Sequence, residues 1–431
     1  MQKNTLSNAK NVHFIGIGGI GISAIARMLL AEGKIVSGSD NSDSEVIESL
    51  RKAGAKIKIG QKAENIPTKT DLVINTIAIT EDNPEMKEVR RRKVKVITYP
   101  QALHEISKDK FTIAISGTHG KTTTIAMVAK IMMDAGFDPT VIIGSLLNET
   151  KSNFIAGKSK YLVVEACEYK RSFLNIEPTI VAVTNIDNDH LDYYKDVADI
   201  QSAFNSFAKK APKNGFVVCN PKDKDIPPIL SEIKGKIVDW SKFKTNKLKL
   251  KVPGVHNKKD ASVALAISHI LGIDKKKALK SLENFSGTWR RFEYKGKSKC
   301  GAKMYDDYAH HPTEIKATLE GAREMFSQNR IVVVFQPHLF SRTKLLLHDF
   351  ARAFSDADEI ILAPIFPARE VFDPSISSDI LAKEIAKQGK KVISLQTFSE
   401  IEEYLKKNLR KDDTLITMGA GEAYKVLGNL A

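Results

Sequence analysis

Cysteine is nearly missing from this sequence. Cys167, Cys219 and Cys300 are far apart and odd in number. That excludes a disulfide framework and a paired-cysteine zinc site, and it suits a reducing cytoplasm. No apolar run approaches the roughly 20 residues of a membrane-spanning helix, so no membrane segment is expected. The opening MQKNTLSNAK lacks the apolar stretch of a secretory signal, and a cytoplasmic location is the expectation. Acidic residues are fewer than basic ones, 51 against 66, which leaves a net charge of +15. An RRM, a helix-turn-helix and a zinc finger are all absent, and the lysines are spread along the chain, with local density at Lys242–Lys251 and Lys275–Lys277. The excess reads as a solvated surface that attracts anionic small molecules, not as a nucleic-acid interface.

What is present is a long α/β chain. At 431 residues it exceeds a single core. Apolar runs fit strands at Val12–Ile15, Asp71–Ile77, Phe111–Ile115, Tyr161–Glu165, Thr179–Thr184, Phe216–Cys219, Ile331–Phe335, Glu359–Ala363, Val392–Leu395 and Thr414–Met418. Helical patterns separate them, including an Ala-rich stretch over Asp260–Leu271 and a last one after Gly419-Ala420-Gly421. Such alternation implies parallel sheets. A linker at Ser107–Lys110 and a turn at Ser286-Gly287-Thr288 divide the chain into residues 1–108, 109–288 and 289–431, so the fold class is α/β with three domains.

The most informative string is AISGTHGKTTT, residues 114–124. A strand ends in Gly117-Thr118-His119-Gly120-Lys121-Thr122-Thr123 and a helical pattern follows. Glycines let backbone N–H groups approach a triphosphate, and the helix N-terminus adds a favourable dipole. Lys121 can reach the β- and γ-phosphates, and the Thr122 hydroxyl can hold Mg²⁺. The spacing is shorter than the usual G-x-x-x-x-G-K-[ST], with Ile115 where the first glycine would stand.

Other polar clusters follow strands. Gly16, Gly18 and Gly21 form G-x-G-x-x-G, with Asp40 about 20 residues later. Alone this pattern means NAD; beside an ATP loop it also fits another pyrophosphate such as a UDP-sugar. Glu165 closes a strand, where a carboxylate can hold Mg²⁺ on nucleotide phosphates. His190 lies among Asp187, Asp189 and Asp192 at another strand end, a pattern for a metal or substrate contact. Asp306, Asp307, His310 and His311 crowd into YDDYAHHPTE, where Pro312 can begin a helix. His338, Arg342 and Arg369 could meet carboxylates or phosphates.

Taken in order, HFIGIGGIG, SGSD, DNPE, SGTHGKTTT, EACE, TNIDNDH, PGVHN, RRFE, YDDYAHHPTEI, FQPHLFSRT, PAREVFDPSISS and MGAGE span nearly the whole chain. The set resembles the Mur ligase family, specifically its alanine-adding type. The resemblance implies an N-terminal Rossmann-like UDP-binding domain, a central P-loop ATPase domain and a C-terminal Rossmann-like domain. It implies an ATP-dependent ligase that joins L-alanine to the carboxylate of UDP-N-acetylmuramate through an acyl phosphate, with Mg²⁺ or Mn²⁺, as a monomer or weak homodimer. By the same resemblance Gly117–Thr123, Asn257 and Arg291 would contact ATP, with Asn257 on adenine and Arg291 on phosphate. Lys121 would stabilise the transferring phosphoryl group. Thr122, Glu165 and His190 would hold metal. Tyr308, His310 and Arg342 would lie by the amino acid and acyl phosphate. Gly16, Gly18, Gly19 and Asp40 would lie by the UDP moiety. Gln61, Thr76, Ile77 and Leu339 depart from the family's commoner residues. Ala203-Phe204-Asn205 replaces the region where sister ligases carry a carbamylated lysine. A ligase that adds a tripeptide to the same sugar nucleotide is the nearest alternative, and an NAD-binding oxidoreductase or sensor module the alternative of another class.

Overall fold

A computed structural model describes residues 5–147, 151–190, 193–368 and 370–431. Asp192 and Arg369 lie outside the described residues. Three sheets follow one another along the chain. The first holds β1 (Asn11–Ile15), β2 (Ile35–Asp40), β3 (Lys56–Ile59), β4 (Leu72–Asn75) and β5 (Lys95–Thr98). All its pairings are parallel and the order is 3-2-1-4-5. Neighbouring strands β1 and β4 leave for opposite sides of the sheet, so a crevice opens at their carboxyl ends, beside Ile15 and Asn75.

The second sheet holds β6 (Phe111–Ser116), β7 (Thr140–Ile142), β8 (Phe154–Ile155), β9 (Tyr161–Glu165), β10 (Ile180–Val183), β11 (Phe216–Cys219) and β12 (Lys236–Asp239). Its order is 12-11-10-6-9-7-8, parallel except for the β7–β8 pair. The central strands β10, β6 and β9 are buried on both faces, which explains their unbroken apolar runs. Both sheets lie in one compact unit, the chain up to Lys247 together with Asp260–Leu282. One apolar cluster runs through it, from Phe14, Ile25 and Leu29 to Phe173, Phe204 and Phe207. Phe173 stacks on Phe207 at 4.5 Å between ring centres and meets Phe204 edge-on at 5.3 Å.

The third sheet belongs to the other unit, Leu248–Lys259 with Glu283–Ala431. It holds β13 (Glu293–Lys297), β14 (Lys303–Asp307), β15 (Ile331–Phe335), β16 (Glu359–Leu362), β17 (Lys391–Ser394) and β18 (Thr414–Met418), in the order 13-14-18-15-16-17. Only the β13–β14 pair is antiparallel. Apolar clusters around Phe335, Phe350 and Phe354, and around Val334, Leu405 and Val426, cover it.

Two sequence expectations change in detail. The Ala-rich helix begins at Val255, five residues before Asp260, so Asn257 sits in its first turn. The stretch after Gly421 is a 3₁₀ segment, Ala423–Asn429, not an α-helix. Among the described residues no helix is long and apolar enough to cross a membrane, and the three cysteines are free.

Candidate active site

The phosphate loop is built by collisions that only glycine avoids. Gly117 has φ +131°, and a Cβ there would lie 2.0 Å from Thr184 Oγ1. Gly120 has φ +81°, and its Cβ would lie 2.3 Å from Asp260 Oδ1. These close approaches seat the loop between the end of β10 and Asp260 of the helix Val255–Ile270, and the helix Lys121–Asp134 begins beside it. The rest of the loop is tied to the segment after β10. His119 N–H donates to Asn185 Oδ1 at 3.0 Å, and Asp187 N–H to Thr118 Oγ1 at 2.9 Å. His119 Nε2 pairs with Asp187 Oδ2 at 2.9 Å.

Lys121 turns back into this loop. Its Nζ donates to Gly117 O at 2.5 Å, Thr118 O at 3.1 Å and Glu168 Oε1 at 3.0 Å. Burial by itself would lower the pKa of this ammonium. Glu168, Cys167 and Glu165 outweigh burial and hold it above the usual lysine value. Thr122 Oγ1 donates to Glu165 Oε2 at 3.0 Å, and Gly144 N–H donates to the same oxygen at 2.8 Å. A Cβ at Gly144 would stand 2.5 Å from Glu165 Oε1. A hydroxyl and a carboxylate side by side at a helix N-terminus form a hard-oxygen set that suits Mg²⁺.

His190 is drawn into the same cluster by one acid beside it in sequence, Asp189, whose Oδ1 accepts from His190 N–H at 2.7 Å, and by one distant in sequence, Glu168. Asp187 is taken by His119. His190 Nε2 lies 3.6 Å from Glu168 Oε1 and 4.0 Å from Asp189 Oδ2. The His190 backbone is left-handed (φ 56°), and its ring lies 4.9 Å from that of Tyr169. Glu168 is the residue that sequence reasoning passed over. It joins Lys121 to His190, is 2% exposed, and its Oε2 is buried with no hydrogen-bond partner among the described residues. The signal was the second acid of EACE, three residues past the strand-end Glu165.

The glycine loop after β1 is likewise set by packing. Gly16 has φ +79°, and a Cβ there would lie 2.5 Å from Thr76 Cγ2. Gly18 N–H donates to Asp40 Oδ2 at 2.8 Å, and Asp40 Oδ1 accepts from Asn41 N–H at 2.8 Å. Both carboxylate oxygens of Asp40 therefore hold backbone. Gly19 caps the helix Ile20–Ala31. A Cβ at Gly21 would lie 2.8 Å from the Tyr99 ring.

The second unit carries its own polar group. Asp306 and Asp307 end β14 and are buried, so they are not part of an exposed polar loop. Arg290 (φ 56°) spends its guanidinium internally, on Asp306 Oδ2 at 2.7 Å, Gly421 O at 3.1 Å and Gly419 O at 2.6 Å. Arg291 faces outward over the Tyr308 ring at 5.4 Å, with Glu314 at 3.8 Å. Pro312 opens the helix Pro312–Met325 as its position suggested, and His311 caps it. His310 Nδ1 contacts Tyr308 O at 3.0 Å, and its ring lies 5.7 Å from His338. His338 Nδ1 is 3.2 Å from Arg342 Nη1. Tyr308, His310, His338, Arg291 and Arg342 thus form one patch of this unit. Leu339, at φ 71°, holds the turn into the helix Phe340–Leu345. Asn257 bonds its own turn, Nδ2 to Pro253 O at 2.6 Å.

Three family models match the chain in succession. The Mur ligase catalytic domain covers residues 11–111, the Mur ligase middle domain 115–277, and the Mur ligase glutamate ligase domain 290–421. The UDP-N-acetylmuramate–L-alanine ligase of Clostridium tetani is 42% identical, over 99% of this chain and 98% of that one. The chain belongs to the Mur ligase family. Each Mur ligase segment falls on one of the three sheets. The solved UDP-N-acetylmuramate–alanine ligase of Thermotoga maritima superposes with a TM-score of 0.81 at 29% identity, over 98% of both chains. A murein peptide ligase from Psychrobacter arcticus, at 23% identity and a TM-score of 0.72 over 98% of both chains, shares the fold.

Proposed function

We propose that this Mur ligase joins L-alanine to UDP-N-acetylmuramate at the expense of ATP. The observation that carries the reading is the cluster Lys121–Thr122–Glu165–Glu168–His190 at the strand ends of the central sheet. It stands in a chain 42% identical to a ligase of that name. A carboxylate resists attack by an amine until one oxygen becomes a good leaving group. Transfer of the γ-phosphoryl of ATP to the muramoyl carboxylate gives an acyl phosphate. The alanine amine then attacks the carbonyl carbon and phosphate departs, leaving ADP and an amide. Such transfer depends chiefly on positioning and charge neutralisation.

In this reading the backbone N–H groups of Gly117–Thr123 cradle the phosphates, and Lys121 neutralises charge on the transferring group. Thr122, Glu165 and His190 would hold Mg²⁺, which supplies further charge neutralisation when bound. Asn257 reads adenine and Arg291 contacts phosphate. Tyr308, His310 and Arg342 receive the amino acid and the acyl phosphate. Gly16, Gly18, Gly19 and Asp40 shape the sugar-nucleotide loop. Asp40 does so by holding Gly18 in place, which supports a fixed pyrophosphate cradle. These assignments divide the chain near residues 108 and 288.

The test is incubation with ATP, Mg²⁺ and UDP-N-acetylmuramate, and separately with L-alanine, L-serine, glycine or an L-Ala–D-Glu-containing tripeptide. Mass spectrometry identifies the product and ADP is measured alongside. The expected product is the L-alanyl conjugate with one ADP per amide. Ligation of tripeptide alone would make the chain a recycling enzyme.

A further inference from the structure

The sugar-nucleotide loop and the metal-side carboxylate stand on different sheets, yet one residue joins them, through its side chain on one side and its backbone on the other. Asn153, at the start of the β8 hairpin arm, is fully buried. Its Nδ2 donates to Ile20 O and, at 2.8 Å, to Ser23 Oγ. Both belong to the first turn of the helix that Gly19 caps. Its Oδ1 accepts from Arg27 Nε at 3.0 Å, one turn further along that helix. Its backbone carbonyl accepts from Ile143 N–H at 3.1 Å. The next residue is Gly144, whose N–H holds Glu165 Oε2, the oxygen that also receives the Thr122 hydroxyl. The path from the Gly16–Gly19 loop to Glu165 and Thr122 therefore passes through Asn153 and a single peptide unit beyond it.

The side-chain amide satisfies three buried partners on the helix Ile20–Ala31, while the backbone carbonyl of the same residue holds Ile143 beside β7. Such an amide is costly to misplace, because each lost partner leaves a group desolvated and unpaired. No aliphatic side chain of similar size could make the three side-chain bonds, and an aspartate would set a carboxylate oxygen against the Ile20 carbonyl. The reaction proposed above needs the muramoyl carboxylate, carried by one loop, to meet the γ-phosphate, carried by the other. An error of about 1 Å in such an alignment costs up to about 10²-fold in rate.

We propose that Asn153 is a positioning residue of the ligase: it holds the sugar-nucleotide loop and Glu165 in fixed register, and so aligns the two reacting groups without touching either. The proposal rests on the reading of the reaction given above. It separates from a purely adhesive role by which kinetic constant moves. Glue alone would lower stability and the active fraction, with kcat per folded molecule unchanged. Register sets kcat.

The experiment measures kcat and KM per active site, on protein of checked fold, for the unaltered chain, Asn153→Ala, Ser23→Ala and the double variant. For Asn153→Ala, kcat should fall about 10- to 100-fold, while KM for ATP and for UDP-N-acetylmuramate stays within about two-fold. Ser23→Ala should fall a few-fold, and the double variant should be no worse than Asn153→Ala, since both remove one shared contact. A folded Asn153→Ala whose kcat stays within about three-fold of the parent overturns the proposal, as does a loss confined to one KM. Should Asn153→Ala not fold, Ser23→Ala decides: unchanged kcat there overturns it. If the unaltered chain makes no alanyl product, the reading of the reaction falls and takes the proposal with it. If product forms and only the variants' kcat fails to respond, the proposal alone is lost.

Discussion

Lys121 Nζ and Glu168 Oε1 stand 3.0 Å apart, and their side chains are 13% and 3% exposed. With Gly117 O and Thr118 O, Glu168 uses all three hydrogens of the ammonium. A phosphate that enters the loop must therefore take the lysine from a carboxylate. Lys121→Ala removes the group that would neutralise the transferring phosphoryl, and turnover should drop by about 10³-fold or more. Circular dichroism should report an intact fold. ADP release at near-normal kcat from that variant would sink the assignment of the loop.

The same pair sets a stability prediction. Removing either partner takes the nearest opposite charge from a desolvated group, which costs about 1–3 kcal/mol here, since Lys121 keeps two carbonyl acceptors and Glu168 keeps His190 at 3.6 Å. Lys121→Ala and Glu168→Ala should each lower the urea midpoint. The double variant should recover part of that loss while remaining inactive. Additive losses in the double variant would show that the pair is not coupled.

Gly144 gives a steric test of Glu165. A methyl group at Gly144 would meet Glu165 Oε1 at 2.5 Å, so Gly144→Ala must push the carboxylate away from Thr122. Activity should fall by about 10²-fold, the effect of displacing a catalytic group by about 1 Å. Raising Mg²⁺ should restore part of it if Glu165 helps to hold the cation. Steady-state assays over a Mg²⁺ series check this, and unchanged activity at all concentrations would remove Glu165 from the site.

Much of this site could be read before the structure because strand ends announce it. Tyr161–Glu165, Phe216–Cys219, Ile331–Phe335 and Thr414–Met418 form strands over the ranges that their apolar runs define. Parallel strands buried on both faces write such runs directly. The short edge strands Lys56–Ile59, Lys95–Thr98 and Lys236–Asp239 gave no such signal, because half of each is polar or exposed. The Ala-rich pattern marks the helix only from Asp260, whereas Val255–Asn257 of the PGVHN stretch already form its first turn. Glu168 and Asn153 escaped for another reason. Their roles come from partners on other elements, and the second acid of EACE was the one trace of either that the sequence carried.

Asp40 separates two readings of the glycine loop. Its Oδ2 accepts from Gly18 N–H at 2.8 Å, so it holds the loop. Asp40→Asn weakens a charge-assisted bond to a neutral one, worth about 1 kcal/mol. KM for UDP-N-acetylmuramate should rise about five- to ten-fold, with KM for ATP unchanged. Calorimetry with NAD should show no binding to either form. NAD binding that Asp40→Asn abolishes would favour the dinucleotide reading instead.

Asp307 gives the second unit a pH signature. Burial pushes its carboxyl up to about 6 from an ordinary 3.8, against the opposing charge of Arg291 and the N–H groups of Ala309 and Phe292. The folded chain thus holds this proton more tightly than the unfolded chain. The favourable contribution is complete below about pH 4 and is lost as pH rises through 6. Over that interval the loss is on the order of 2–3 kcal/mol. Asp307→Asn removes the titration but keeps a side chain that can accept one of the two N–H groups. Urea unfolding of both proteins at pH 4, 5, 6 and 7 should therefore show the parent losing stability relative to Asp307→Asn as pH rises, with the change centred near pH 5 and complete a little above 6. A difference that stays flat across the series would mean that Asp307 is already ionised at an ordinary pKa.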